Sequence, residues 1–359
     1  AAGCARSEGA GAGDDRALEI RARELARRFL IADGHVDIPM RLHSRPADIS
    51  RETDEGDFDY PRARQGGLDA PFMSIYTSSE LEETGGSTEK ADALIDIVEA
   101  LVADHPDRFA LATSVAQVRQ NFARGLISLP MGMENGSPLG EDLVHLEHFY
   151  ERGVRYVTLA HAKSNRLADA AYDEERRWGG LSPLGERAIR EFNRLGMMVD
   201  VSHLTDEAFF QVVEISRAPV IASHSSCRSF TPGWERNMSD DQIRRLGENG
   251  GVMLINFGSS FLDEELRREF EAGWDAAAAF REERGLERSD PEVKAFVEDY
   301  RRRHPPRYAD IEAVLDHIDH VVELAGVDHV GFGSDFEGVG DSLPAGLKDV
   351  SDYPNLIHG

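Results

Sequence analysis

Five short segments of the chain each close an apolar run on a side chain able to ligate a metal. They are Ala32-Asp-Gly-His35-Val-Asp37, Leu129-Pro-Met-Gly-Met-Glu134, Met198-Val-Asp-Val-Ser-His203, Val220-Ile-Ala-Ser-His224 and Val330-Gly-Phe-Gly-Ser-Asp335. An apolar run of strand length that ends on His, Asp or Glu is how a barrel enzyme presents ligands at the mouth of its sheet. His35 and Asp37 stand at i and i+2, so in a strand both face one side. Imidazole nitrogen and carboxylate oxygen suit zinc and similar divalent ions. Glu134 lies between Gly132 and Gly136, small neighbours that let backbone approach a ligand. A carboxylate can also bridge two cations, as a neutral imidazole does not. Three imidazoles and two carboxylates are more than one four-coordinate catalytic zinc with an open position needs. They fit two metals sharing Glu134, about 3.5–4 Å apart, with a bridging water that ionises near neutral pH and becomes the nucleophile.

Three further residues fit hydrolysis of an amide. Asp335 can take a proton from such a water and pass it to a leaving group. His161, in Thr-Leu-Ala-His, can donate to the oxyanion of a tetrahedral intermediate. Arg236, in Glu-Arg-Asn-Met, is either a fork for a substrate carboxylate or a surface ion pair. Other histidines read as structural. His145/His148 and His317/His320 have i, i+3 spacing on helices between strands, away from the mouth, and are expected on solvated faces. No Gly-x-Ser-x-Gly elbow or Walker loop is present, and the glycines before Asp335 open no helix, so a dinucleotide loop is rejected.

These side chains need a scaffold that brings strand ends together. Strands are expected at 30–37, 70–76, 126–133, 156–160, 197–202, 220–223, 251–257 and 330–334. Helical periodicity covers 91–104, 140–152, 184–195, 206–216, 240–249 and 311–325. Asp206, Ser239 and Asp310 stand where N-caps belong, Ser182-Pro183 opens a first turn, and Gly153, Gly196, Gly250 and Gly326 follow helices as stops. Eight parallel strands alternating with helices specify an α/β fold, a (β/α)8 TIM-type barrel. Residues 263–307 read as a helical insertion after strand 7. Residues 16–359 thus form one hydrolase barrel. Only a short stretch follows Asp335, so the final helix of a full barrel is expected to be missing.

Apolar residues make up 41% of the 359 and charged ones 30%, with a net charge of −26. That charge repels nucleic acid and anionic membrane surfaces, so neither is an expected partner. Cys4 and Cys227 make no disulfide framework; Cys227 is expected buried and unpaired. The opening Ala1-Ala-Gly-Cys4 resembles the end of a bacterial lipoprotein signal. It predicts a lipid anchor at Cys4, a flexible tether over 1–15, and a place in the cell envelope, periplasmic or extracellular, with the cytoplasm as the alternative. The sequons at Asn135 and Asn237 lie beside expected site residues, where a glycan does not fit.

The joint pattern resembles the renal (membrane) dipeptidase family of metallopeptidases, in the amidohydrolase superfamily. The matching stretches are Asp33-Gly-His-Val-Asp37, Gly66-Gly-Leu-Asp-Ala-Pro-Phe-Met-Ser-Ile-Tyr76, Gly132-Met-Glu-Asn-Gly136, Leu195-Gly-Met-Met-Val-Asp-Val-Ser-His203, Ala222-Ser-His-Ser-Ser226, Arg236-Asn237 and Val330-Gly-Phe-Gly-Ser-Asp-Phe-Glu-Gly338. The resemblance implies two zinc ions, one on His35 and Asp37, one on His203 and His224, with Glu134 bridging. It implies Asp335 as proton shuttle, His161 at the oxyanion, and Arg236 with Asn237 in substrate binding, Arg236 on a dipeptide's C-terminal carboxylate. Substrates would be L-L and L-D dipeptides, and the chain a homodimer. Gly258 follows Asn256-Phe257 where the family often has Tyr, which puts one substrate contact in doubt, and the mammalian disulfide cysteines are missing. Two rivals remain: an amidohydrolase acting on N-acyl amino acids or cyclic amides with the same centre, and a lipid-tethered binding protein with an inactive barrel.

Overall fold

Apolar segments of three to nine residues, each too short to bury itself alone, close on one another as a barrel. The computed structural model describes residues 12–359, with side chains from residue 15. Among these, eight strands form the closed barrel: β1 (Ile31–Val36), β2 (Leu68–Tyr76), β3 (Met131–Glu134), β4 (Val154–Thr158), β5 (Met198–Asp200), β6 (Ile221–Ser225), β7 (Val252–Ile255) and β8 (Val330–Phe332). All neighbours pair parallel, and β1 closes the ring on β8 through Asp33 opposite Phe332. A parallel barrel buries both faces of each strand, which is why Val, Ile, Leu and Met dominate these runs.

Helix ends follow their caps. The Ser182 hydroxyl accepts from Gly185 N–H to start Pro183–Leu195, which stops at Gly196 in the left-handed region. Ser239 and Gln242 form a capping box for Asp240–Glu248, and Asp310 caps Ile311–Ala325. Thr205, rather than Asp206, caps Asp206–Ile215; Asp206 occupies the first turn and pairs with Arg228.

The segment 126–133 is two strands rather than one. Ile127–Leu129 pairs with Phe109–Leu111 in a separate two-stranded sheet, and the barrel strand begins only at Met131. Pro130 separates them because it has no N–H to continue a ladder. The helix expected over 140–152 shrinks to Leu146–Glu151, since Asp142 and Leu143 have φ of 56° and 63°. Ala12–Arg28, Ile38–Ser44, Tyr60–Gly66 and Val115–Ala123 are helices the periodicity did not reveal. The first begins inside the span expected as a tether. Cys4 and its expected lipid anchor lie outside the described residues. Between β7 and β8 the chain forms Glu264–Arg284 and Pro291–Arg303, joined by stacking of Phe280 on Phe296. The closing helix Tyr353–His358 packs on Ala12–Arg28. No helix among the described residues is long and apolar enough to cross a membrane.

His317 corrects the expectation of a solvated face. It is fully buried. Its Nδ1 accepts from Cys227 N–H at 2.9 Å, its Nε2–H donates to Leu262 O at 3.1 Å, and Phe230 lies against its ring. Cys227 is likewise buried and free. Burial lowers the His317 pKa from 6.5 to about 4. The unfolded chain therefore takes up this proton first as pH falls. The contribution of His317 is complete above pH 6.5 and lost progressively toward pH 4, on the order of 3 kcal/mol. Urea midpoints measured across that window should fall less steeply for His317→Gln than for the native chain.

Candidate metal centre

The strand ends set the geometry. β1 carries His35 next to its last residue, and Asp37 has already left the strand as the N-cap residue of Ile38–Ser44. Even so, His35 Nε2 lies 3.5 Å from both Asp37 Oδ2 and Glu134 Oε2. On its other side Glu134 Oε1 is 3.2 Å from His203 Nε2, 3.3 Å from His224 Nε2 and 3.5 Å from His161 Nε2. The ligand atoms of His35, Glu134 and His224 lie within 4.8 Å of one another, as do those of Glu134, His161 and His203, and those of His35, Asp37 and Asp335. All five expected ligands, with His161 and Asp335, thus converge.

The backbone is bent to allow this. His203 has φ of 69° and Asp335 of 62°, conformations that cost a non-glycine residue about 1–3 kcal/mol and cluster at functional sites. Gly338 sits against the carboxylates: a Cβ there would lie 2.1 Å from Asp335 Oδ1 and 2.3 Å from Asp37 Oδ2. Gly132 serves the interior. A Cβ at 132 would strike the Tyr156 ring at 1.9 Å, and that ring crosses the barrel to place its hydroxyl 3.0 Å from His35 Nδ1.

Hydrogen bonds behind the cluster decide which nitrogens face it. Asp200 Oδ2 accepts from Ser223 Oγ at 2.7 Å and from Thr158 Oγ1 at 2.5 Å. The single Ser223 hydroxyl proton is thereby used, so Ser223 accepts from His224 Nδ1–H at 2.8 Å and His224 Nε2 carries the lone pair. Tyr156 likewise donates to Gly34 O and accepts from His35 Nδ1–H, leaving His35 Nε2 a buried lone pair with no partner. Arg236 Nη2 donates to His203 Nε2 at 3.1 Å. Two accepting nitrogens, those of His203 and His224, therefore face each other across 2.8 Å. Like dipoles at that distance in a buried site repel unless a positive charge joins them. The donor set fits divalent cations on this ground.

Charge states agree. Burial, with the Arg236 guanidinium, holds His203 well below its ordinary pKa, and burial with neighbouring His35 does the same for His224. Burial pushes Glu134 up, but the neighbouring His35 and His161, with His203 and His224 beside it, bring it well below the carboxylate range. Neutral His203 and His224 beside an ionised carboxylate are the ligand forms of these groups, whereas His35, which burial lowers but Tyr156, Glu134 and Asp37 together raise well above its ordinary value, must give up a proton to ligate. Asp335 is pushed well above its ordinary value by burial, with Asp37 and Glu134 adding and His35 opposing; Asn256 Nδ2 donates to its Oδ2 at 2.8 Å.

Arg236 is buried, not a surface ion pair. It donates to Ser225 Oγ and His224 O, its Nε has no partner, and among the described residues no carboxylate lies within ion-pair distance. Asn237 is turned away from the cluster. Its Oδ1 accepts from Ser226 N–H, and its Nδ2 donates to Thr231 and Phe261 O, so it braces the loop beneath Arg236. Sequence reasoning missed the outer residues Asp33, Tyr156, Asp200, Ser223 and Asn256. The available signal was a polar residue inside each apolar run. Asp33 accepts from His35 N–H and Ser334 N–H, each at 3.0 Å, and from the Tyr353 hydroxyl.

A family model described as membrane dipeptidase (peptidase family M19) matches residues 19–359. An uncharacterized dipeptidase, C3A11.10c, of Schizosaccharomyces pombe is 33% identical over 355 residues, covering 94% of this chain and 76% of the relative. Among solved structures, the probable dipeptidase PvdM from Pseudomonas aeruginosa superposes with a TM-score of 0.81 at 27% identity, covering 96% of this chain and 92% of that one. A metallopeptidase from Rhodobacter sphaeroides, liganded with a phosphinate mimic of L-Ala-D-Ala, gives 0.74 at 27% identity, covering 91% of each.

The Asp200–Ser223–His224 chain yields a test. Ser223→Ala removes the partner of His224 Nδ1 and should weaken binding of a divalent cation about 10- to 100-fold. Thr158→Val removes a different hydrogen bond to the same Asp200 oxygen and should cost far less. Competition against a graded chelator series measures both.

Proposed function

Because the chain belongs to the membrane dipeptidase family, we propose that it hydrolyses dipeptides at a centre holding two zinc ions. His35 and Asp37 would hold one ion, His203 and His224 the other, and Glu134 both. The observation that carries this reading is the meeting of the His35, His203 and His224 Nε2 atoms on the two oxygens of one buried carboxylate. Bound there, the ions would supply Lewis acidity to the carbonyl and an acidified water as nucleophile.

The chain's own groups do the rest. Asn256 fixes one oxygen of Asp335 and leaves the carboxyl free to take a proton and return it to the departing amine. His161, with its side chain 20% exposed at the mouth and Tyr76 against its ring, would donate to the developing oxyanion. Arg236 offers an unpaired guanidinium to the substrate's C-terminal carboxylate. A D residue at that end is included in the proposal, on the strength of the L-Ala-D-Ala mimic bound by the Rhodobacter sphaeroides relative. The homodimer rests on the family resemblance alone, and the envelope location on the opening Ala1–Cys4.

Metal-loaded protein should cleave L-L and L-D dipeptides, and complete chelation should abolish turnover. Turnover that survives metal removal would falsify the mechanism. Asp335→Asn should keep the bound metal and lose about 10²- to 10⁴-fold in kcat; loss of the metal instead would make Asp335 a ligand. Arg236→Ala should lower kcat/KM about 10- to 100-fold for dipeptides and far less for dipeptide amides, which lack the charge that Arg236 meets.

A further inference from the structure

Arg236 is walled by aromatic rings. Its guanidinium carbon lies 5.1 Å from the Phe261 ring centre. Trp234 packs on Phe261 with centroids 5.0 Å apart, and Tyr172 follows at 6.0 Å from Trp234 and 5.9 Å from His203. The three rings make a collar from the carboxylate grip to the metal ligands. They differ in exposure: Phe261 is buried, Trp234 is half-buried, and Tyr172 is 43% exposed. The collar is held open from behind. Arg267, from the insertion helix Glu264–Arg284, stacks on Trp234 at 5.7 Å. The backbone before Tyr172 is tied by Ala171 N–H to His203 O at 2.8 Å.

Resting on the dipeptidase reading, we propose that the collar is the subsite for the C-terminal side chain of the substrate, and that it selects dipeptides ending in an aromatic or bulky aliphatic residue. The geometry follows from the substrate's own bonds. The C-terminal Cα is one bond, about 1.5 Å, from the carboxylate carbon, and the carboxylate sits about 3 Å from the guanidinium nitrogens. The side chain on that Cα therefore starts close to the Phe261 ring, centred 5.1 Å from the guanidinium carbon, from which Trp234 and Tyr172 continue the apolar wall. Half-exposed Tyr and Trp faces beside a fully buried cation are apolar surface that only a side chain in this position would cover. The N-terminal side chain leaves from the far side of the scissile bond, toward His161 and Tyr76, and does not meet the collar.

The test compares kcat/KM for Ala-Gly, Ala-Leu and Ala-Phe, and for the reversed pair Gly-Ala and Phe-Ala, with metal-loaded native protein and the variants Tyr172→Ala and Trp234→Ala. The native chain should favour Ala-Phe over Ala-Gly by roughly 10- to 100-fold, the range a hydrophobic pocket can supply. In each variant that ratio should collapse toward unity, while the Phe-Ala to Gly-Ala ratio stays at its native value. Ratios cancel any loss of folded protein, and Tyr172→Ala changes an exposed position should Trp234→Ala fail to fold. A native protein that cleaves Ala-Gly as well as Ala-Phe, or variants that keep the native ratio, overturns the collar proposal and leaves the dipeptidase reading intact. Failure to cleave any of the dipeptides overturns both.

Discussion

Two imidazole nitrogens that both present lone pairs lie 2.8 Å apart beside one carboxylate, and the rest of the barrel is arranged to hold them there. Neither can relieve the repulsion by turning over its ring. His224 is fixed by Ser223 and Asp200 from behind. His203 faces a guanidinium, which has protons to give and none to take. A pocket built this way is unfavourable alone and favourable with cations in it, so part of the folding free energy is spent on preorganisation.

The same expenditure appears in the backbone. His203 and Asp335 both sit in the left-handed region. Backbone hydrogen bonds hold both, Ala171 N–H donating to His203 O, Asp335 N–H to His35 O, and Gly338 N–H to Asp335 O. Asp33 extends the restraint by gripping the backbone of both His35 and Ser334. One buried carboxylate therefore sets the position of His35 and of the residue preceding Asp335, and Tyr353 closes its remaining oxygen. The barrel ends are rigid because each strand end is hydrogen-bonded to its neighbours across the interior.

Much of this was legible in the chain because barrel ligands sit at the ends of apolar runs, and such runs are local. His35, Glu134, His203, His224 and Asp335 could be read from the runs before them, and the eight-stranded order from their alternation with helices. Errors arose where a local pattern met a non-local partner. The run 126–133 looks continuous until Phe109–Leu111 is present to pair with its first half. His317 has the spacing of a surface helix position, and only packing against Cys227 and Leu262 reveals it as core. Asp200 lies inside Met198-Val-Asp-Val-Ser-His203 with nothing local to mark its role. Its actual partners, Thr158 and Ser223, come from the neighbouring strands β4 and β6. The collar was invisible for the same reason, since Tyr172 and Trp234 lie on separate loops and Phe261 on the short helix Ser259–Leu262, with no shared period.

Arg236 shows how far function has overruled economy in this fold. A buried guanidinium is cheapest when a protein carboxylate faces it, because desolvation of an unpaired charge is costly. Among the described residues none does; the charge is met by Ser225 Oγ, His224 O, the His203 ring and the face of Phe261. A permanent carboxylate partner would lower that cost and also fill the position proposed for a substrate carboxylate. On that reading, substrate binding would itself be the event that satisfies the charge. The large negative charge of the chain, −26 overall, disfavours anionic ligands elsewhere on the surface. On the proposed reading, a dipeptide's carboxylate would thereby be directed to Arg236, and its scissile bond to the imidazoles beside that guanidinium.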